Sequence, residues 1–170
     1  MTEKETIFSQ PGSSEEDILY MRKAMELAKL AAQEDEVPVG AVCVRDGKII
    51  SSAYNKRETN KCATHHAEIL AIEEACRTLG GWRLPGVTLY GTMEPCVMCA
   101  GAIVNSRIPR VVYGAPDHRF GAFGSLLDLV KVPLNHTPEV VGGVLSEECA
   151  EILSSYFRGK RSAPKEPILS

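Results

Sequence analysis

From Glu15 to Arg158 the sequence alternates between short apolar, β-branched runs and stretches with helical spacing. That alternation restricts the chain to an α/β architecture, a sheet covered on both faces. Ser14 reads as a helix cap, with Asp17 three residues on in the place of a capping-box acid. Ile18, Met21, Met25, Leu27, Ala28 and Ala32 then form one face of a helix from Glu15 to about Glu34. Val37 to Val44 predicts a strand, Asp46-Gly47 a hairpin turn, and Lys48 to Tyr54 the returning strand. After a polar loop, a helix runs from His66 to Leu79 and stops at Gly80-Gly81. Val87 to Thr92 predicts the next strand. Pro95 stands where a first helical residue would, and Cys96 to Asn105 continues as an apolar helix. There follow a strand from Arg110 to Ala115, a short helix from Ser125 to Val130, and a strand from Val140 to Leu145 weakened by Gly142-Gly143. A last helix starts at Ser146 and reaches about Arg158. Residues 1–14 and 162–170 are polar and read as flexible tails around one domain, 15–161.

The net charge of −3 on 170 residues points to no polyanionic partner. The charge is unevenly placed. Glu3, Glu5, Glu15, Glu16 and Asp17 against Lys4 give residues 1–17 a charge of −4, which leaves about +1 for residues 18–170. The start of the chain has no apolar core behind a basic stretch, and no run approaches the roughly 18 apolar residues that cross a bilayer. The expectation is a cytoplasmic protein without a membrane partner. Six cysteines, Cys43, Cys62, Cys76, Cys96, Cys99 and Cys149, then read as metal ligands or free thiols rather than disulfides.

Two motifs carry chemistry: His66-Ala67-Glu68 and Pro95-Cys96-Val97-Met98-Cys99. Thiols three apart at a helix start share one face. The backbone N–H groups and dipole there favour thiolate, the form that binds metal. With His66, the two sulfurs make three ligands for a tetrahedral ion such as Zn²⁺. A structural site is closed by four protein ligands, whereas three leave a position for water, whose pKa zinc lowers towards about 7. Glu68, two residues from the ligand, is placed to take the water's proton and return it to a leaving amine. Each half alone is weak. A lone C-x-x-C arises by chance or as a redox pair, but that reading leaves His66 and Glu68 without a role. A closed four-ligand site would need Cys62 or His65 as well.

H-x-E followed by P-C-x-x-C resembles the signature of the zinc-dependent cytidine and nucleobase deaminase superfamily, whose mechanism is a worked case of base-directed chemistry. The likeness narrows to the family of bacterial tRNA-specific adenosine deaminases. It does so in Glu36-Val37-Pro38-Val39-Gly40-Ala41-Val42, Thr92-Met93-Glu94-Pro95, Ser106-Arg107-Ile108, Gly124-Ser125-Leu126, Asn135-His136, Gly143-Val144-Leu145 and Glu147 through Arg158. The resemblance covers about residues 15–161. It implies a three-layer α/β/α sandwich around a five-stranded mixed sheet, a homodimer, one Zn²⁺ per subunit, and conversion of adenosine to inosine at the wobble position of a tRNA anticodon stem-loop. It further implies that Asn55 holds the target nucleoside, that Val37, Pro38, Val39 and Glu94 line the pocket, and that Asp117 meets the neighbouring nucleotides. Two positions depart from the family pattern. His65 precedes the ligand where a small or apolar residue is usual, and Cys62-Ala63 replaces the usual D-P pair. His66 is taken as the ligand because it alone forms H-x-E with Glu68.

An anticodon loop is single-stranded, so a base enters a pocket without melting a duplex. Three basic groups suit such a partner: Lys56, Arg57 and Lys61; Arg107, Arg110 and Arg119; and Arg158, Lys160 and Arg161. Phe120 and Phe123 have the chemistry to stack on bases, but residues of this kind more often pack against the body or a partner subunit. Two rivals remain at this stage: a deaminase of a free base or nucleoside such as guanine or cytidine, and a non-catalytic, zinc-stabilised RNA-binding module.

Overall fold

Asp46 and Gly47 adopt φ of 52° and 71°, the left-handed pair of a type I′ turn, and they join two antiparallel strands paired from Arg45 opposite Lys48 to Gly40 opposite Tyr54, with a register shift between Cys43 and Val44. These strands, β1 (Gly40–Arg45) and β2 (Lys48–Tyr54), form one side of the sheet. The structure, a computed structural model, describes residues 14–162. The further elements are α1 (Glu15–Gln33), α2 (Ala67–Leu79), β3 (Thr88–Met93), α3 (Val97–Asn105), β4 (Arg110–Ala115), β5 (Glu139–Val141) and α4 (Ser146–Ser162). The strand order is β2-β1-β3-β4-β5. β1 pairs antiparallel with β2 and β3, whereas β3–β4 and β4–β5 are parallel, so the sheet is mixed as expected.

Side chains along a strand alternate faces, and here both faces are covered. Ala41, Cys43, Leu89 and Val111 pack with Ala67, Ala71 and Ala75 of α2 and with Ala100 and Ile103 of α3. Val42, Val44, Tyr90 and Val112 pack on the opposite side with Met21 and Ala24 of α1 and Cys149 of α4. This is the three-layer sandwich. Gly40 is obligatory for it, because a Cβ there would lie 2.0 Å from the Ala24 carbonyl oxygen. Ser14 and Asp17 form the capping box, and Asp17 does more. Its buried carboxylate accepts from the Tyr90 hydroxyl at 2.8 Å and from both terminal nitrogens of Arg110 at 2.7 Å, tying the start of α1 to β3 and β4.

Several boundaries differ from the expected ones, each for a local reason. β1 begins at Gly40 and not at Val37, since Pro38 has no N–H and the Val39 N–H turns back to the Val37 carbonyl. His66 and Cys96 cap α2 and α3 rather than opening them, which puts Pro95 one residue outside the helix. The helix expected over Ser125–Val130 does not form. Both the Leu126 and Leu127 N–H groups donate to the Gly121 carbonyl, Asp128 caps the Val130 N–H, and a short 3₁₀ turn spans Leu129–Lys131. β5 stops at Val141 because Gly142 lies against the Tyr113 ring and Gly143 turns at φ 86°. α4 continues past Arg158 to Ser162, held where the Tyr156 hydroxyl and the Lys160 ammonium reach Asp35. The expected tails fall on residues 1–13 and 163–170, outside the described residues; Ser14 and Ser162 belong to helix ends. Among the described residues no helix is long and apolar enough to cross a membrane.

Candidate active site

Two helix starts face each other beside the end of β3. His66 caps α2, and Cys96 caps α3 with Cys99 in its first turn. The imidazole Nδ1 of His66 lies 3.6 Å from the sulfurs of Cys96 and Cys99. A tetrahedral zinc with standard bond lengths holds its nitrogen and sulfur ligands about 3.6 Å apart. Among the described residues, these three form the group of potential ligands whose donor atoms lie within 4.8 Å of one another. Neither His66 nor Cys96 spends its side chain on capping its helix. The Cys99 thiol and His66 hold the Cys96 thiol down at about 4 against its burial, while the neighbouring Cys96 sulfur and burial push Cys99 up. Cys96 is thus the thiolate of the pair, and Cys99 must give up its proton when a metal binds.

Glu68 sits in the first turn of α2 and is 4% exposed, its Oε2 accepting from the Cys99 thiol at 3.3 Å. Burial pushes its carboxyl up, which suits a group that must both accept and release a proton. Cys62 and His65 stay outside the group. Cys62 contacts the Thr64 hydroxyl at 3.4 Å, and His65 accepts from the Asn60 amide at 2.9 Å.

Above this floor lies a cavity of about 300 Å³ walled by His66, Glu68, Cys96, Val37, Asn55, Glu94 and Asp117 among others. Of the residues anticipated from sequence, Cys99 and Pro38 are outside its lining: Cys99 is fully buried beside His66 and Glu68. Pro38 is the wall residue that does not reach it. It is buried, and Val37 and Val39 face the cavity on either side of it. Asn55 is fixed at both ends of its amide: its Nδ2 donates to the Val37 carbonyl and its Oδ1 accepts from the Arg57 N–H, each at 3.3 Å. Arg57, Met93 and Phe120 also line the cavity, and no motif marked them for that place. Phe123 packs into the core as expected, but Phe120 stands 63% exposed on the rim.

Past Phe120 and Asp117 the cavity opens into a groove of about 1160 Å³, flanked by Arg119, Phe157, Arg158 and Arg161. The basic groups read from sequence are only partly brought together there. Arg119 and the end of α4 share the groove, whereas Arg110 is bound to Asp17 and Arg107 donates to the end of α3. Lys56 is placed over the Tyr54 ring and towards Glu34.

Comparison with known proteins agrees with this geometry. The profile of the MafB19-like deaminase family matches residues 15–161. The tRNA-specific adenosine deaminase of Bacillus subtilis is 52% identical over 151 residues, covering 88% of this chain and 94% of that protein. The enzyme of the same name from Haemophilus influenzae is 46% identical, covering 89% of each. Among solved structures, one from a study of A-to-I editing by tRNA:A34 deaminases at the wobble position is 45% identical with a TM-score of 0.77, over 79% of this chain and 99% of that one. A guanine deaminase from Bacillus subtilis is 32% identical with a TM-score of 0.58, over 92% of this chain and all of the other. The chain belongs to the MafB19-like deaminases and, among them, to the family of tRNA-specific adenosine deaminases.

Proposed function

We propose that this protein is a zinc-dependent hydrolase that converts adenosine to inosine at the wobble position of a tRNA anticodon loop. The observation that carries this reading is the continuity of the two cavities. A base-sized pocket ends on His66, Cys96 and Glu68, with the buried Cys99 sulfur 3.6 Å from His66, and its mouth leads into a groove edged by arginines and an exposed phenylalanine. A nucleobase fits the first and a flanking phosphate chain fits the second.

One imidazole and two thiolates are a donor set suited to zinc. Zinc held there makes water acidic enough to act as a nucleophile near neutral pH. Asn55, locked between Val37 and Arg57, presents its remaining amide hydrogen to the nucleoside. Val37, Pro38, Glu94 and Asp117 form and support the walls around it. Glu68 takes one proton from the attacking water and passes it to the ring nitrogen, then takes the second from the hydroxyl added to the ring carbon and passes it to the departing amino group, so that adenosine and water give inosine and ammonia. Six free cysteines fit a reducing, cytoplasmic setting.

The homodimer belongs to the same reading. Leu126, Leu127, Val130, Val132 and Leu134 are all exposed along one segment, which is fastened to the start of α3 by the Ala122 N–H on the Pro95 carbonyl. Val97, on that same helix start, is also exposed. A second copy covers this apolar band. Leu127→Asp is expected to convert the dimer to monomer in sedimentation experiments. A dimer that survives the substitution at micromolar concentration removes this face as the interface.

The functional test is inosine formation in an anticodon stem-loop, set against free adenosine, cytidine and guanine, with zinc content measured on the same sample. The stem-loop is expected to react and the free compounds to remain. Turnover of free guanine without turnover of the RNA overturns the proposal.

A further inference from the structure

Two buried glutamates have no part in the chemistry above. Glu36 is 0% exposed and Glu94 2% exposed. Among the described residues, neither forms an ion pair with a lysine, arginine or histidine. Burying a carboxylate without a cation is unfavourable unless hydrogen-bond donors surround it. Here the donors are backbone groups of the two loops that rim the pocket.

Glu36 accepts from the Glu58 N–H at 2.7 Å and from the Thr59 N–H at 3.5 Å. That turn lies between Asn55 with Arg57, which line the pocket, and the ligand His66. Glu94 accepts from the Phe123 N–H at 3.2 Å, the Ser125 N–H at 3.3 Å and the Asp117 N–H at 3.4 Å, and also from the Ser125 hydroxyl. The loop presses so closely on it that a Cβ on Gly121 would lie 2.1 Å from Glu94 Oε2. Asp117 and Phe120, on the same loop, form the mouth between pocket and groove. Both carboxylate oxygens of Glu94 are therefore occupied by donors of this loop, although the residue lines the cavity.

We infer that Glu36 and Glu94 are positioning residues: each is a buried anion that gathers the backbone N–H groups of one rim loop and so sets where the substrate-facing residues of that loop stand. The inference rests on the pocket being the substrate site, but its main test needs no substrate. A charged acceptor holds several N–H groups more strongly than an amide does, and an amide's own NH₂ opposes them. Glu36→Gln is expected to raise amide exchange over residues 57–62 by about tenfold or more while 117–125 keeps its protection, and Glu94→Gln to do the reverse. The sheet should stay protected and the metal content unchanged in both. Ser125→Ala, which takes one donor from the Glu94 cradle and leaves the core intact, gives a smaller change confined to 117–125 and serves if Glu94→Gln does not fold. On whichever substrate the wild type turns over, kcat/KM falls by about ten- to a hundredfold in both Gln variants. Exchange that rises evenly across the sheet, or loops that remain as protected as in the wild type, overturns the inference. Failure of the RNA assay alone leaves the exchange result standing.

Discussion

Glu68→Ala is expected to retain metal and bind an anticodon stem-loop while its turnover falls roughly a hundred- to ten-thousand-fold. The separation of binding from turnover follows from where the side chain sits. Glu68 is not among the three potential ligands, so its loss leaves the imidazole and both sulfurs in place. It also stands on the pocket floor, away from the arginines of the outer groove. What goes is the proposed proton carrier, a buried carboxyl whose affinity for protons is raised by desolvation. Measuring bound zinc, stem-loop affinity and single-turnover inosine formation on one preparation separates the three properties. A variant as active as the wild type would remove Glu68 from its assigned role. A variant that bound RNA but had lost its zinc would show instead that the carboxylate supports the metal site.

The second large effect is on stability. Arg110→Met is expected to destabilise the fold by about 3–5 kcal/mol at neutral pH, because it strands a buried carboxylate. Asp17 is 1% exposed in its side chain and receives both terminal nitrogens of Arg110. Burial alone would raise its carboxyl, but the Arg110 guanidinium and the Tyr90 hydroxyl outweigh that and hold it below the usual carboxylate range. The unfolded chain binds that proton at about pH 3.9. The pair's contribution is therefore complete above that pH and is lost as the pH falls through the lower, folded value. Without Arg110 the sign reverses: burial dominates, and Asp17 enters the fold more readily when protonated. The gap in melting temperature between wild type and variant should thus be wide at pH 7 and narrow near pH 3.5. A gap that is independent of pH would assign the loss to packing.

The legible parts of this molecule were those fixed by neighbours in sequence. Asp46-Gly47 announced the hairpin because only a few residue pairs accept two left-handed conformations in succession. The grouping of His66, Cys96 and Cys99 was legible because each motif sits at a helix start, where three or four residues decide the geometry. The segment from Gly121 to Lys131 was not. Its apolar residues have helical spacing, but their N–H groups are claimed by Gly121 and Glu94, partners that periodicity cannot reveal. Glu36 carried no local signal at all, since a glutamate before Val37-Pro38 reads like any surface acid until the turn at Glu58 is folded against it.

The mixed sheet also governs how the site comes into being during synthesis. The hairpin of β1 and β2 closes over two residues and can form as soon as Tyr54 has emerged. The parallel pairing of β3 with β4 must wait for α3 and everything between, and such long closures are slow. The pocket draws on residues from Val37 to Phe120, so no shorter nascent chain contains it. Until β4 and the loop beyond it are in place, the pocket lacks Asp117 and Phe120, the residues of its mouth. The pocket therefore becomes possible midway through the parallel half of the sheet, once β4 has been added and while β5 and α4 are still to come.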